Sequence, residues 1–261
     1  MTVRDTPWPA GTPCWIDLST SDIEAAKTFY GSLFGWELQV GGEDTGGYVT
    51  AEIGGKAVAG LMGQMPGSAR QPPVWTTYFA TDDADATLAK ITAAGGSVIV
   101  QPMDVLDIGR MAIAVDPTGG AFGLWQARSF SGAQLANEPN SFTWNELYTR
   151  DFGKAKEFYA AVFGFTLTDV APGMDYVTMD VEGKPVGGIG AMPDGVPAGV
   201  PAHWRVYFAV DDTDQTLEQA TKLGGKVLDP AKDSPFGRWG DAADGQGAQF
   251  SVIKLPPAQE G

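Results

Sequence analysis

The chain has 261 residues, of which 43% are hydrophobic, enough to bury the core of one or two domains. Its 32 acidic residues outnumber its 17 Lys and Arg residues, and the net charge of −15 disfavours binding to nucleic acids and to anionic membrane surfaces. The sequence has no apolar run that could span a bilayer and only one cysteine, Cys14, so we expect a cytoplasmic protein without an internal disulfide.

The first predicted strand contains Trp15 and Asp17, which alternation places on the same face. A capping-box pattern at Ser21 and Glu24 predicts a helix that ends at Gly35. The remaining elements of the first half are, in order, a strand at 36–40, a hairpin at 48–62 that turns at Gly54 and Gly55, a loop at 65–73, a strand at 75–83, a helix at 83–94, and strands at 97–105, 110–117 and 121–127.

The second half repeats the first. Residues 144–164 copy residues 15–35 at an offset of 129, and ten of these positions carry the same residue in both copies. A repeat of this length indicates a duplicated domain rather than a solenoid. We therefore predict an N-terminal extension at 1–13, a first domain at 14–126, a linker at 127–141 and a second domain at 142–256. Each domain contains two βαβββ modules.

Three motifs occur in order along the chain: D(I/F)xxAxxFYxxxFG, YFA(T/V)DDxDxTL and DPTGGAFGLWQ. With them the sequence resembles the vicinal-oxygen-chelate superfamily, which includes glyoxalase I, bleomycin-resistance proteins, fosfomycin-resistance proteins and extradiol dioxygenases. It is also similar to two-domain glyoxalase-like proteins of actinobacteria that are often labelled as hydroxylases or antigens. The resemblance implies an α+β fold of mixed, mainly antiparallel sheets, with a U-shaped cavity, or cup, in each domain.

In metal-using members of this superfamily, His, Gln and Glu ligands stand at three fixed places in the cup. Counting from the motifs, these places hold residues that are not usual metal ligands, namely Trp15, Thr76 and Gly123 in the first half and Trp144, Arg205 and Ser251 in the second. The chain has a single histidine, His203. We therefore expect no metal and no cofactor, as in the drug-binding bleomycin-resistance proteins.

The aromatic residues near these places are candidates for stacking on a flat ligand, although each could instead belong to the core. The ligand-binding candidates are Trp15, Tyr78, Trp125, Trp144, Arg205 and Tyr207. Asp17 and Glu146 are equivalent by the repeat and are the candidates for a general base or a ligand anchor. The alternative for both is an ion pair with Arg205, Arg110 or Arg238. Arg205 itself could bind a carboxylate or phenolate.

The sequence leaves several functions open. We expect a metal-independent protein that binds a small planar or aromatic molecule, and that is a monomer without nucleic-acid or membrane partners. The alternatives are a metal-free isomerase, lyase or hydrolase that uses Asp17 or Glu146 as a base, a metal-dependent glyoxalase or dioxygenase, and an interaction protein whose cups have lost their function.

Overall fold

The computed structural model describes residues 2–64 and 72–256, so most of the predicted loop at 65–73 lies outside the described residues. The strands of the first half are β1 (Thr2–Val3), β2 (Pro13–Thr20), β3 (Glu37–Val40), β4 (Val49–Ile53), β5 (Lys56–Gly63), β6 (Val74–Ala80), β7 (Ser97–Val105), β8 (Gly109–Val115) and β9 (Ala121–Ala127). Its α-helices are α1 (Ile23–Phe34) and α2 (Ala84–Ala93), and a 3₁₀ turn lies at Glu43–Thr45.

The second half repeats this order after a short strand in the linker. Its strands are β10 (Leu135–Ala136), β11 (Phe142–Thr149), β12 (Thr166–Asp169), β13 (Tyr176–Val181), β14 (Lys184–Ala191), β15 (His203–Ala209), β16 (Lys226–Ser234), β17 (Gly237–Ala243) and β18 (Gln249–Lys254). Its helices are α3 (Phe152–Phe163) and α4 (Thr213–Lys222).

Each half forms one eight-stranded sheet from its two modules, within the part of the chain that the structure describes. The strand orders are β3-β4-β5-β2-β6-β9-β8-β7 and β12-β13-β14-β11-β15-β18-β17-β16. In the first sheet β2 pairs with β5 and β6 with β9 in parallel, and the other neighbours are antiparallel. The predicted α+β fold of paired βαβββ modules is confirmed.

The helices begin at aspartate caps. Asp22 accepts a hydrogen bond from the backbone nitrogen of Ala25 at 3.0 Å, and Gly35 ends α1 in the left-handed conformation with φ of 68°. The predicted capping box is wrong because Ser21 lies one residue before the cap, and its hydroxyl donates to Gln246 in the other half. The other three helices are capped in the same way by Asp83, Asp151 and Asp212.

The two halves pack against each other through aromatic side chains of α1 and α3. Tyr30 of α1 donates to Asp244 of the second half at 3.1 Å, and Tyr159 of α3 donates to Asp116 of the first half at 2.9 Å. Both tyrosines are fully buried, and Phe34 of α1 lies 4.7 Å from Phe208 of β15 between ring centroids. The repeated Phe-Tyr motif and the turn at Asp116 therefore join the halves.

The N-terminal extension and the linker pack together on the first half. β1 pairs with β10, and the Trp8 indole nitrogen donates to the carbonyl of Ala133 at 3.0 Å. The backbone nitrogen of Ala133 donates to Cys14 of β2 at 2.7 Å. Across residues 2–64 and 72–256, none of the helices has the length and apolar character needed to cross a bilayer.

Candidate functional site

The first cup is organised around the carboxylate of Asp17 on the central strand β2. Tyr78 of β6 donates to its Oδ2 at 3.0 Å and Tyr48, just before β4, donates to the same atom at 3.5 Å. The indole nitrogen of Trp15 donates to the Tyr48 hydroxyl at 2.8 Å. Asp17 retains 5% of its exposure, so this carboxyl group meets phenol hydroxyls rather than solvent.

Burial controls the protonation of this group. Loss of solvent raises the pKa of Asp17 from 3.8 to about 7, against the smaller opposing effect of the Tyr78 and Tyr48 hydrogen bonds. Burial, and then the nearby Asp17 charge, raise the pKa of Tyr48 and of Tyr78 well above the ordinary value. Both phenols therefore remain neutral hydrogen-bond donors at ordinary pH.

The second cup contains the same unit with glutamate in place of aspartate. Tyr207 donates to Oε1 of Glu146 at 2.5 Å and Tyr176 donates to Oε2 at 2.7 Å. The indole nitrogen of Trp144 donates to the Tyr176 hydroxyl at 2.9 Å. Glu146 retains 4% of its exposure. The sequence repeat is therefore also a repeat of a tryptophan, a carboxylate and two tyrosines.

Glycines leave room for these tyrosine rings. A Cβ atom on Gly60 would collide with the hydroxyl of Tyr48, and one on Gly188 would collide with the hydroxyl of Tyr176. A Cβ on Gly123 would likewise enter the ring of Tyr78. The rings lie across the neighbouring strands because these positions have no side chain.

A linker residue fills the first cup. The ring of Phe130 lies edge-on to Trp15, 4.9 Å away between centroids, and 5.9 Å from Trp125. The carbonyl of Phe130 accepts from the Trp125 indole nitrogen at 2.9 Å, and its own nitrogen donates to Ile108 at 3.1 Å. Trp15 is consequently buried, with 4% of its exposure left.

The second cup is more open. Trp144 is only half-buried, and a cavity of about 350 Å³ lies beside Tyr176 at the mouth. The cavity is lined by Tyr148, Met174, Asp175, Tyr176, Gly190, Ala191, Met192, Pro193 and Asp194. Tyr176, which donates to Glu146, therefore also faces a space large enough for part of a small molecule.

Arg205 forms an ion pair inside the second cup. Its Nη1 donates to Oδ2 of Asp241 at 2.9 Å, and the Ser251 hydroxyl donates to the other oxygen of Asp241 at 2.6 Å. The guanidinium carbon lies 4.8 Å from the centre of the Tyr148 ring. Burial is the largest single influence and lowers the pKa of Arg205. The nearby Asp241, together with Tyr207, Tyr148 and Glu146, outweighs it, so that the pKa of Arg205 lies above the ordinary value.

The alternative assignment of Asp17 and Glu146 to ion pairs with arginine does not match these contacts. Arg110 pairs with Asp85 and Asp104, and Arg238 pairs with Asp214 and Asp233, all at the surface. Arg205 pairs with Asp241. Both cup carboxylates are instead held by phenol hydroxyls.

The superfamily resemblance implies a divalent metal ion, and the donors in the cups do not fit one. Among the described residues, no three His, Cys, Asp or Glu side chains are grouped as a metal would require. The Glu146 oxygens accept hydrogen bonds from Tyr207 and Tyr176, and the carboxylate of Asp241 is already paired with the guanidinium of Arg205. A cation placed here would have to compete with Arg205.

The structure brings most of the predicted site residues together. Trp15, Asp17 and Tyr78 meet in the first cup, with Trp125 on the other side of Phe130, and Trp144, Glu146 and Tyr207 meet in the second. Arg205 faces the same cup but contacts Asp241 and Tyr148.

Several important residues were not predicted. Tyr48 and Tyr176 begin the repeated YVT segments, so the repeat contained the signal, but neither residue stands at one of the three places that correspond to metal ligands in the superfamily. Asp241 and Tyr148 have no counterpart in the first half, which carries Ile113 and Ser19 at these positions. Phe130 lies in a segment without periodicity.

Comparison with known families agrees with this geometry. The model of the Glyoxalase/Bleomycin resistance protein/Dioxygenase superfamily matches residues 14–124 and again residues 140–252. The chain belongs to this superfamily. The two matches coincide with the two eight-stranded sheets, so each cup described above is the cup of one superfamily domain.

Two relatives within the superfamily cover nearly the whole chain. "Putative glyoxylase CFP32" of Mycobacterium tuberculosis (strain CDC 1551 / Oshkosh) is 45% identical over 255 residues, covering 95% of this chain and 97% of that protein. Anthracycline biosynthesis protein DnrV of Streptomyces peucetius is 40% identical over 259 residues, covering 94% of each. The tandem arrangement is therefore shared along its full length.

Solved structures of superfamily enzymes share the fold. The Mn(II)-bound glyoxalase from Novosphingobium aromaticivorans superposes with a TM-score of 0.63 at 16% identity, covering 95% of this chain and 85% of that chain. The 2,2',3-trihydroxybiphenyl 1,2-dioxygenase from Sphingomonas wittichii gives 0.64 at 14% identity, covering 97% and 94%. At this identity the likeness concerns the fold alone.

Proposed function

We propose that this glyoxalase-like protein binds a small planar aromatic molecule in its second cup without a metal ion. The observation that carries the proposal is the difference between two otherwise equivalent cups. In the first, an aromatic ring of the protein's own linker, Phe130, lies edge-on to Trp15. In the second, Trp144 donates the equivalent hydrogen bond to Tyr176 and is only partly buried, and Tyr176 lines a cavity of about 350 Å³.

The contact between Phe130 and Trp15 indicates which kind of ligand this type of cup can bind. A phenyl ring against the edge of a buried tryptophan is a favourable contact for an external aromatic ligand as well. At the repeat offset of 128 residues the second half has Ala258 instead of Phe130, and this position lies outside the described residues. The second half therefore does not carry the same aromatic side chain at that position in its sequence.

Metal independence is part of the proposal. By the count from the motifs, Trp144, Arg205 and Ser251 stand at the places that correspond to the superfamily's metal ligands, and Arg205 brings a positive charge. The name of the relative DnrV adds support for a flat ligand, because anthracyclines contain fused planar rings. Elemental analysis of purified protein tests this point directly. A stoichiometric transition metal in the second cup would contradict it.

Ligand binding is tested by titrating the protein with 2-naphthol and following tryptophan fluorescence. We expect quenching that saturates in the wild type and a loss of affinity of about tenfold or more in Trp144→Leu. Trp15→Leu is the matched control, because Phe130 already covers that tryptophan. Mass spectrometry of compounds that co-purify would then identify the natural ligand. Equal binding by both variants would place the ligand elsewhere.

A metal-free enzyme is the second candidate, and it has its own supporting observation. Glu146 and Arg205 are direct partners on the neighbouring strands β11 and β15, so a carboxylate base and a guanidinium stand side by side on one sheet. This is a workable arrangement for removing a proton while stabilising negative charge on oxygen. If a turnover is found, Glu146→Gln should abolish it and Asp17→Asn should not.

We also propose that the protein is a cytoplasmic monomer without nucleic-acid or membrane partners. The bonds from Tyr30 to Asp244 and from Tyr159 to Asp116 supply, within one chain, an interface that a single-domain relative would form by dimerising. Light scattering coupled to gel filtration should give a mass near 27.5 kDa, that of one chain. Twice that mass would contradict the monomer.

A further inference from the structure

The ion pair of Arg205 and Asp241 is unusual for its position inside a cup. The Arg205 side chain retains 21% of its exposure and that of Asp241 retains 12%. Removing two charges from water is unfavourable, and a buried ion pair often stabilises a fold no better than apolar residues of similar size. The pair is therefore weak evidence for a role in stability, and its place in the cup points to a ligand.

The first half shows that the fold does not need this pair. At the equivalent positions it carries Thr76 for Arg205, Ile113 for Asp241 and Gly123 for Ser251. The sheet around these residues has the same strand order in both halves. The ion pair of Arg205 and Asp241 is thus present in the half with the more open cup and has no counterpart in the other half.

Most of the hydrogen-bonding capacity of Arg205 remains available. A guanidinium has five N–H donors, and the bond from Nη1 to Asp241 uses one of them. Within the described ranges, no fully buried side-chain nitrogen or oxygen lacks a partner, so the other donor nitrogens of Arg205 are not sealed in the core. Arg205 does not itself line the cavity of the second cup, but its guanidinium stacks on Tyr148, which does.

We propose that Arg205 binds a carbonyl oxygen conjugated to the aromatic ring of the ligand, an inference that rests on the proposed function. A carbonyl oxygen accepts from a guanidinium without bringing another full charge. A carboxylate would be less favourable, because Asp241 and Glu146 already place two carboxyl groups next to one guanidinium. In this arrangement the ring occupies the cavity beside Tyr176 and Tyr148, and its carbonyl oxygen accepts from Arg205, which stacks on Tyr148.

Three probes of nearly equal shape separate ring binding from carbonyl recognition: 2-acetylnaphthalene, 2-ethylnaphthalene, which has no acceptor, and 2-naphthoate, which is anionic. Dissociation constants from tryptophan fluorescence are measured for the wild type and for Arg205→Met. The wild type should bind 2-acetylnaphthalene about tenfold more tightly than 2-ethylnaphthalene, and 2-naphthoate no more tightly than the ketone. Arg205→Met should bind the ketone and the hydrocarbon equally.

Two further variants control for unfolding and for surface charge. Arg205→Met leaves the carboxylate of Asp241 without its cation. The double variant Arg205→Thr with Asp241→Ile removes both charges. Its side chains copy Thr76 and Ile113, the residues at these positions in the first half. It should also lose the preference for the ketone while keeping its affinity for 2-ethylnaphthalene. Arg238→Met removes surface ion pairs and should keep the preference.

The outcomes separate the two proposals. If the wild type binds the ketone and the hydrocarbon equally, or if the preference survives in both Arg205 variants, carbonyl recognition is wrong and aromatic binding stands. Tighter binding of 2-naphthoate than of the ketone would mean that Arg205 recognises an anion rather than a carbonyl oxygen, and would also overturn the inference. If the wild type binds none of the three probes, the proposed function itself fails.

Discussion

Tyr159 donates a hydrogen bond to Asp116 across the boundary between the two halves, and Tyr30 donates to Asp244 in the same way. The other oxygen of Asp116 accepts from the backbone of Thr118 and Gly120 in its own turn. Each aspartate therefore both shapes a turn in one half and receives a tyrosine from the other.

Removing this tyrosine hydroxyl should destabilise the protein. Tyr159→Phe leaves a buried oxygen of Asp116 and the indole nitrogen of Trp204 without their partner, which should lower the free energy of unfolding by about 1–3 kcal/mol. Urea unfolding measures the change, and Arg238→Met serves as a surface control that should leave the midpoint unchanged. A Tyr159→Phe midpoint equal to that of the wild type would show that the cross-half bond contributes nothing.

Asp17 should make stability depend on pH. Its pKa is about 7 in the folded protein and 3.8 when exposed, so between these values the folded state binds one proton more than the unfolded state. The free energy of unfolding should therefore decrease as pH rises from about 4 to about 7, by at most about 4 kcal/mol, and should then level off.

Asp17→Asn isolates this contribution, because the amide is neutral throughout. Urea midpoints at several pH values should show the variant gaining stability relative to the wild type between about pH 4 and pH 7. Asp44→Asn, on an exposed turn, is the control and should follow the wild type. Parallel curves for Asp17→Asn and wild type would mean that Asp17 is ionised in the folded protein.

Removing the Phe130 ring should open the first cup. Phe130→Ala should lower the free energy of unfolding by about 2 kcal/mol, less than a fully buried phenylalanine would, because the residue is only half-buried. The space left between Trp15 and Trp125 should then bind a small aromatic compound. We expect p-cresol to raise the melting temperature of this variant more than that of the wild type.

Phe236→Ala is the matched control, since Phe236 is 56% exposed and lies outside both cups. It should neither lose comparable stability nor respond to p-cresol. If Phe130→Ala is stable and insensitive to p-cresol, Phe130 does not act as the occupant of the cup.

Two glycine substitutions should separate the functions of the two cups. Gly188→Ala places a methyl group where the Tyr176 hydroxyl lies, and Gly60→Ala does the same to Tyr48. Both should destabilise the protein, but only Gly188→Ala should abolish the fluorescence response to 2-naphthol. The two titrations at equal protein concentration measure this, and a loss of response in Gly60→Ala alone would assign binding to the first half.

The fold could be predicted from the sequence because the repeat was strong. Trp15 and Asp17 share a face by simple alternation, and their copies Trp144 and Glu146 predicted the equivalent strand in the second half. The strand β2 is central in its sheet, so its side chains are buried on both faces, and alternation alone could not show which face formed the cup.

The composition of the site was harder to predict because it depends on long-range contacts. The pairing of Arg205 with Asp241 joins β15 to β17, two strands that are not neighbours in the sheet. The position of Phe130 depends on where an irregular segment packs, and neither propensity nor periodicity describes such a segment. The expectation that a metal is absent remains a prediction for elemental analysis.

The difference between the cups depends on their being encoded in one chain. A homodimer of single-domain subunits has two identical cavities, so any substitution that closes one closes both. Because this chain encodes its two cups separately, Phe130 lies against Trp15 in the first cup alone among the described residues. The second cup carries the ion pair of Arg205 and Asp241, where the first has Thr76 and Ile113. The two cups can therefore differ within one molecule, which the symmetry of a homodimer would prevent.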